Sequence, residues 1–128
     1  NNVTALCTLS DTVVWAGTGL IDRGGVAEFV RQPREGGWLC TRFLTKGDGL
    51  AGEKARSIFR ARDGVVWVGS EYDGVAYWRG DRWRVLSTLD GLSHNEVRAM
   101  LEDADGALWL ATGGGVTRLD TAARARLP

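Results

Sequence analysis

Short runs of β-branched, aromatic and aliphatic residues alternate along this chain with breaks marked by glycine and aspartate. Val3-Thr-Ala-Leu-Cys-Thr-Leu9 is a β-type run, and Asp11 starts a tight turn into Thr12-Val-Val-Trp-Ala-Gly-Thr18, so the two predict a hairpin. Gly24-Gly25 releases a third run, Val26 to Val30, which Pro33 and Glu35-Gly36-Gly37 separate from a fourth, Trp38 to Leu44. The same order returns more compactly: Ala55 to Arg60, a turn at Asp63-Gly64, Val65 to Gly69, a loop over Ser70-Glu-Tyr-Asp73, Gly74 to Trp78, a turn at Gly80-Asp81, and Arg82 to Ser87. It begins a third time with Val97 to Glu102, Asp105-Gly106, Leu108 to Ala111, Thr112-Gly-Gly-Gly115 and Val116 to Leu119. A fourth strand there would have to come from Thr121 to Leu127, which lacks the pattern.

These are copies of one unit. Moving the third back by 42 positions lays Gly91-Leu92, Asp105-Gly106 and Trp109 on Gly49-Leu50, Asp63-Gly64 and Trp67; a further 52 lays Ala55, Asp63 and Trp67 on Val3, Asp11 and Trp15. Four short antiparallel strands recurring every 40 to 45 residues or so are the mark of a β-propeller blade. The expected fold is therefore all-β, with blades at about residues 1–48, 49–90 and, incomplete, 91–128. A blade is too thin to bury both faces alone and must stack on its neighbours. Trp15, Trp67 and Trp109 would fill the seams, and Ala at any of them is expected to cost roughly 3–5 kcal/mol. Three blades fall short of the four to eight of a typical ring. Self-association is therefore expected, most simply as a dimer completing six blades.

Composition narrows the rest. Eighteen glycines and two prolines fit turn punctuation in a β protein, and 44% hydrophobic with 25% charged residues fits a globular chain. Sixteen basic against sixteen acidic residues leave no electrostatic footprint for nucleic acid. No apolar run reaches the ~18 residues of a membrane span. The polar start Asn1-Asn2 is neither a signal peptide nor an initiator, so the chain reads as a piece or a processed product. Cys7 and Cys40 show no metal-ligand spacing and are expected as small buried hydrophobes, with a disulfide possible but not indicated. No metal or cofactor is expected.

The third copy, through Gly91-Leu92, Asn95, Val97, Asp105-Gly106, Leu108-Trp109, Thr112 and Gly115-Val116, resembles the two-component regulator propeller repeat of bacterial sensor proteins. The second matches at Gly49-Leu50, Asp63-Gly64, Trp67-Val-Gly-Ser70 and Gly74-Val75. The first departs from it, with Thr12 in place of the turn glycine and extra residues between Thr18 and Gly25, which implies a longer or irregular outer hairpin. The resemblance implies a sensor region outside the cytoplasm, periplasmic or otherwise extracytoplasmic, in a signalling pathway. It says almost nothing about a ligand.

In such a propeller the loops entering each first strand and those joining the second and third strands share one face. That face would hold Asn1-Asn2, Thr18 to Arg23, Gly52-Glu53-Lys54, Ser70-Glu71-Tyr72-Asp73, Ser93-His94-Asn95-Glu96 and Thr112-Gly113-Gly114. Loops on a rigid scaffold are where binding usually resides. Arg56 and Arg98 occupy matching first-strand positions and could place a guanidinium near the axis. Tyr72 between Glu71 and Asp73 is the aromatic best placed for a small molecule or an oligosaccharide. His94 and Glu96 are the groups a general acid/base mechanism would use, as in lyase-like propellers, but no nucleophile or metal set accompanies them. The expected role is thus non-catalytic, a sensor or interaction module; a lyase-like enzyme and an assembly fragment are the alternatives. Glu102-Asp103-Ala104-Asp105-Gly106 reads as a hairpin turn rather than a calcium loop, and Arg79-Gly80-Asp81 as a turn rather than an adhesion motif.

Overall fold

The computed structural model describes residues 2–20 and 23–128. They form three antiparallel sheets, each a meander. The first contains β1 (Val3–Ser10), β2 (Val13–Leu20), β3 (Arg23–Arg31) and β4 (Trp38–Leu44); the second contains β5 (Ala55–Arg60), β6 (Val66–Ser70), β7 (Val75–Trp78) and β8 (Trp83–Leu86). The third has three strands, β9 (Val97–Glu102), β10 (Leu108–Thr112) and β11 (Gly115–Leu119). Where a fourth strand would follow, the chain forms a short helix, α1 (Thr121–Ala125), opened by the Asp120 carboxylate accepting from the Ala123 amide at 2.8 Å.

The first strands β1, β5 and β9 pack side by side, which sets the sheets as successive blades around a common inner edge. Each seam buries the second-strand tryptophan of one blade against aliphatic residues of the next. Trp15, Val26 and Leu44 pack on Ala55, Val66, Val68 and Ala76. Trp67, Val75 and Tyr77 pack on Val97, Leu108 and Leu110. In cross-strand register Trp15 faces Glu28, Trp67 faces Tyr77 and Trp109 faces Arg118. Each tryptophan accordingly meets a different partner: Trp15 Nε1 donates to Glu28 at 2.9 Å, the Trp67 and Tyr77 rings stack at 4.9 Å, and the Arg118 guanidinium lies 5.6 Å from the Trp109 ring.

The blades are joined by a repeated device. Thr45 and Asp48, and again Ser87 and Asp90, form reciprocal capping boxes around one 3-10 turn (Lys46–Asp48 and Thr88–Asp90), which Gly49 and Gly91 end in the left-handed conformation. Leu50 and Leu92 then drop into the two seams. At the opposite end of the blades, Arg124 of α1 is buried and ties blades two and three together. It donates to Glu102 at 2.5 Å, to the Gly106 carbonyl at 2.6 Å and to Asp63 at 2.9 Å.

Two expectations, on Trp109 and the cysteines, are corrected, and the longer hairpin expected of the first blade is found. Trp109 is half-exposed because, among the described residues, nothing packs on the outer face of the third blade. The cysteines are free, and Cys40 is exposed, because its strand β4 lies at the solvent edge of the first sheet. The extra residues of the first blade lengthen both of its outer hairpins: β2 and β3 pair from Val13 to Leu20, and β3 pairs with β4 out to Arg31 and Trp38.

Candidate functional site

The loops entering β5 and β9 and those joining β6 to β7 and β10 to β11 lie at one end of the blades. Asn1, Ile21 and Asp22, assigned to the same face by sequence, lie outside the described residues. A ladder of alternating charges crosses this end. Lys54 Nζ lies 2.5 Å from Glu71; Arg56 stands 3.9 Å from Glu71 on one side and 3.9 Å from Glu96 on the other; Arg98 Nε closes on Glu96 at 2.8 Å. The matching first-strand positions of Arg56 and Arg98 thus converge with Glu71 and Glu96 from two different loops. Hydrogen bonding from Arg98 holds the Glu96 carboxyl below its ordinary range, and Glu96 raises Arg98 in return.

The loops are fastened by their own polar groups. His94 Nδ1 accepts from the Glu96 amide at 3.0 Å, which leaves Nε2 as the ring's remaining nitrogen. Gly113 lies against this pair, and a Cβ there would come within 2.8 Å of Glu96 Oε2 and 2.9 Å of His94 Nδ1. Asn95 is structural: its side chain accepts from the Thr88 amide at 2.9 Å and its carbonyl from the Gly74 amide at 2.8 Å. Ser93 bonds Thr112 at 2.8 Å and Thr117 at 3.0 Å, tying the entering loop to the third blade.

Of the eight sequence-derived residues, Arg56, Glu71, Glu96 and Arg98 therefore form one connected set, with His94 on its flank. Tyr72 is exposed beside it. The Asp73 amide is held by Ser70 Oγ at 2.8 Å, and its carboxylate points toward Gly52. Lys54, which the sequence places on this face without a role, belongs to the ladder too, meeting Glu71 from the loop that enters β5.

Other candidates resolve into structure. The Asp103 carboxylate accepts from Trp109 Nε1 at 2.8 Å and from the amides of Asp105 and Ala107 at 2.9 and 3.0 Å, so the acidic run is an anchored turn. Among the described residues no cluster suited to a metal ion occurs. The Arg79-Gly80-Asp81 arginine is turned inward to the carbonyls of Leu127 and Arg124 at 2.8 and 3.0 Å. A groove of about 310 Å³ opens at the outer rim between blades one and two, floored by Trp15, Trp78 and Trp83 with Glu28 and Arg42 at its edge. No local pattern groups those residues.

Stacked meanders of four, four and three strands around a shared inner edge define the chain as part of a β-propeller. Residues 49–72 and 91–114, which open the second and third blades, match the family model for the two component regulator propeller. No curated protein sequence matches the chain. Among solved structures it is similar to the extracellular domain of the hybrid two component system BT3049 of B. thetaiotaomicron, with TM-score 0.72 and 24% identity over 94% of this chain. It is also similar to the extracellular domain of BT4673 from the same organism, with TM-score 0.61 and 17% identity over 91% of this chain. The chain spans 16% and 15% of the length of those two structures.

Proposed function

We propose that the chain is a non-catalytic sensor module of a bacterial two-component signalling protein and that its ligand binds at the loop end of the blades. The observation that carries this reading is the ladder Lys54–Glu71–Arg56–Glu96–Arg98, in which Arg56 is shared between two carboxylates at 3.9 Å and satisfied fully by neither. A ligand offering hydroxyl or carboxylate oxygens can insert between these groups, and exposed Tyr72 supplies a flat apolar face beside them. A small polar metabolite or an oligosaccharide fits this chemistry. Binding that draws the loops of two blades together would favour one blade geometry over another, a signal of the population-shift kind. The likeness to extracellular domains supports a position outside the cytoplasm; among the described residues no helix is long and apolar enough to cross a membrane.

A non-catalytic role fits the state of the two candidate groups for proton transfer. Glu96 is engaged by Arg98 and held ionised, and His94 spends Nδ1 on a loop amide. The test is a thermal-shift and calorimetric survey of small metabolites and oligosaccharides against wild type, Arg56→Ala and Glu71→Gln. Compounds that stabilise wild type and lose most of that effect in both variants support the assignment. Binding left unchanged in both variants would place the site elsewhere, and turnover of a bound compound that depends on His94 would make the chain an enzyme.

A further inference from the structure

The repeat that builds the blades changes one charge at their loop end. In the third blade Arg98 follows Glu96 by two positions, and the pair closes through two bonds, Nε to Oε1 at 2.8 Å and Nη2 to Oε2 at 3.2 Å. Moving back by 42 positions lays Arg98 on Arg56 but Glu96 on Lys54, so the second blade carries two cations where the third carries a neutral pair. Glu71, at the place after Trp67 that Gly113 fills after Trp109, supplies one carboxylate in return. Lys54 takes that carboxylate at 2.5 Å.

Arg56 is therefore the cation left over. Its guanidinium stands 3.9 Å from Glu71 and 3.9 Å from Glu96, beyond hydrogen-bond length, and each of those carboxylates has a nearer partner. Among the described residues Arg56 donates no hydrogen bond, so two flanking charges hold its guanidinium in place while its N–H groups stay open to a ligand. The side chain is partly exposed. β5 packs against β1 and β9, so the blades on either side of Arg56 both belong to this chain.

We propose that the ligand of the loop end carries a carboxylate, which Arg56 receives as a planar fork-to-fork pair; this rests on the loop-end site proposed above. One surplus positive charge calls for one negative charge. A carboxylate presents two coplanar oxygens to a guanidinium, as Glu96 does to Arg98. A phosphate group, with about two negative charges at neutral pH, would press its excess charge against Glu71 and Glu96. The carboxylate belongs to a small organic acid or to an acidic sugar, and exposed Tyr72 beside the ladder offers a flat face to the ring of the second.

Acetate tests the contact directly. Titrated at constant ionic strength against chloride, it should move the Nε–Hε resonance of Arg56 saturably in nitrogen-correlated NMR, the resonance being assigned by its loss in Arg56→Lys. Arg98, already paired, should hold still, and inorganic phosphate should move Arg56 less than acetate does. Calorimetry with glucuronate against glucose, and with lactate against lactamide, separates the two sources of carboxylate. In at least one pair the acid should bind wild type about tenfold or more tightly than its neutral partner, and Arg56→Gln should erase that preference. No saturable acetate shift at Arg56, an equal shift at every exposed arginine, or no preference for the acid in either pair overturns the proposal. A neutral compound that binds as tightly as its acid, and is lost in Arg56→Gln and Glu71→Gln, overturns the carboxylate and leaves the loop-end site standing. Binding that ignores both substitutions overturns the site itself.

Discussion

At the scale of single residues, the three equivalent tryptophans separate what the repeat dictates from what the neighbours decide. Trp67 is covered by a whole blade, and Ala in its place should cost about 3–5 kcal/mol. Trp109 has no such cover, and in urea titration Trp109→Ala should cost about 1–2 kcal/mol, since part of its surface is already wet. Equal losses at the two positions would contradict the open face. Glu102 offers a second test. Burial opposes its ionisation, but the bonds from Arg124 and Arg62 outweigh that and hold its carboxyl below the ordinary 4.5. Its contribution to stability is therefore complete above about pH 4.5 and is lost as pH falls through the lowered folded value. Glu28, where burial is outweighed by bonds from Trp15, Arg42 and Thr41, and Asp103, held down by Trp109 and the Ala107 amide, act in the same direction. Thermal midpoints of wild type should fall steeply with acidification, and Glu102→Gln should start lower and fall less. Arg124→Ala removes the buried one of the two cations on Glu102, leaving only exposed Arg62, and should cost about 2 kcal/mol or more.

At the scale of elements, the joints between blades are as regular as the blades. Ser87→Ala or Asp90→Ala removes half of a capping box and should cost about 1 kcal/mol, with the added consequence that amide exchange quickens around buried Leu92. Unchanged exchange there would show that the box does not hold the joint. Both boxes were legible in the chain as Thr45-x-x-Asp48-Gly-Leu50 and Ser87-x-x-Asp90-Gly-Leu92, although glycine and leucine alone first draw attention. The strands were legible for a firmer reason: each has the β-branched and aromatic content, and the turn residues at fixed offsets, that a sheet needs. The helix α1 was hidden because five residues make no period. Its signals were only the Asp120 cap and three alanines, and its purpose rests on Arg124 reaching Asp63, a separation of 61 residues that no local pattern encodes. The charge ladder was half visible. Matching positions of Arg56 and Arg98 follow from the repeat, whereas the meeting of Arg56 with Glu71 and Glu96 depends on how tightly two blades splay, which only packing fixes.

At the scale of the whole molecule, stability is distributed by how many faces each blade has covered. In a linear stack, free energy is close to a sum of blade terms and nearest-neighbour seam terms. The middle blade here has Ala55, Val66 and Val68 buried on one side and Trp67 and Tyr77 on the other, while the first and third blades each have one seam. Opening an outer blade breaks one seam; opening the middle one breaks both. Native-state hydrogen exchange should therefore show the slowest amides in β5 to β7, with β1 to β4 and β9 to β11 exchanging through lower-energy openings. The third blade, one strand short, should be the less protected of the outer two unless the Arg124 bonds to Glu102 and Asp63 fasten it, which Arg124→Ala would reveal as a selective gain in exchange over β9 to β11. A flat profile of protection across the three blades would mean that seams do not set the local stability.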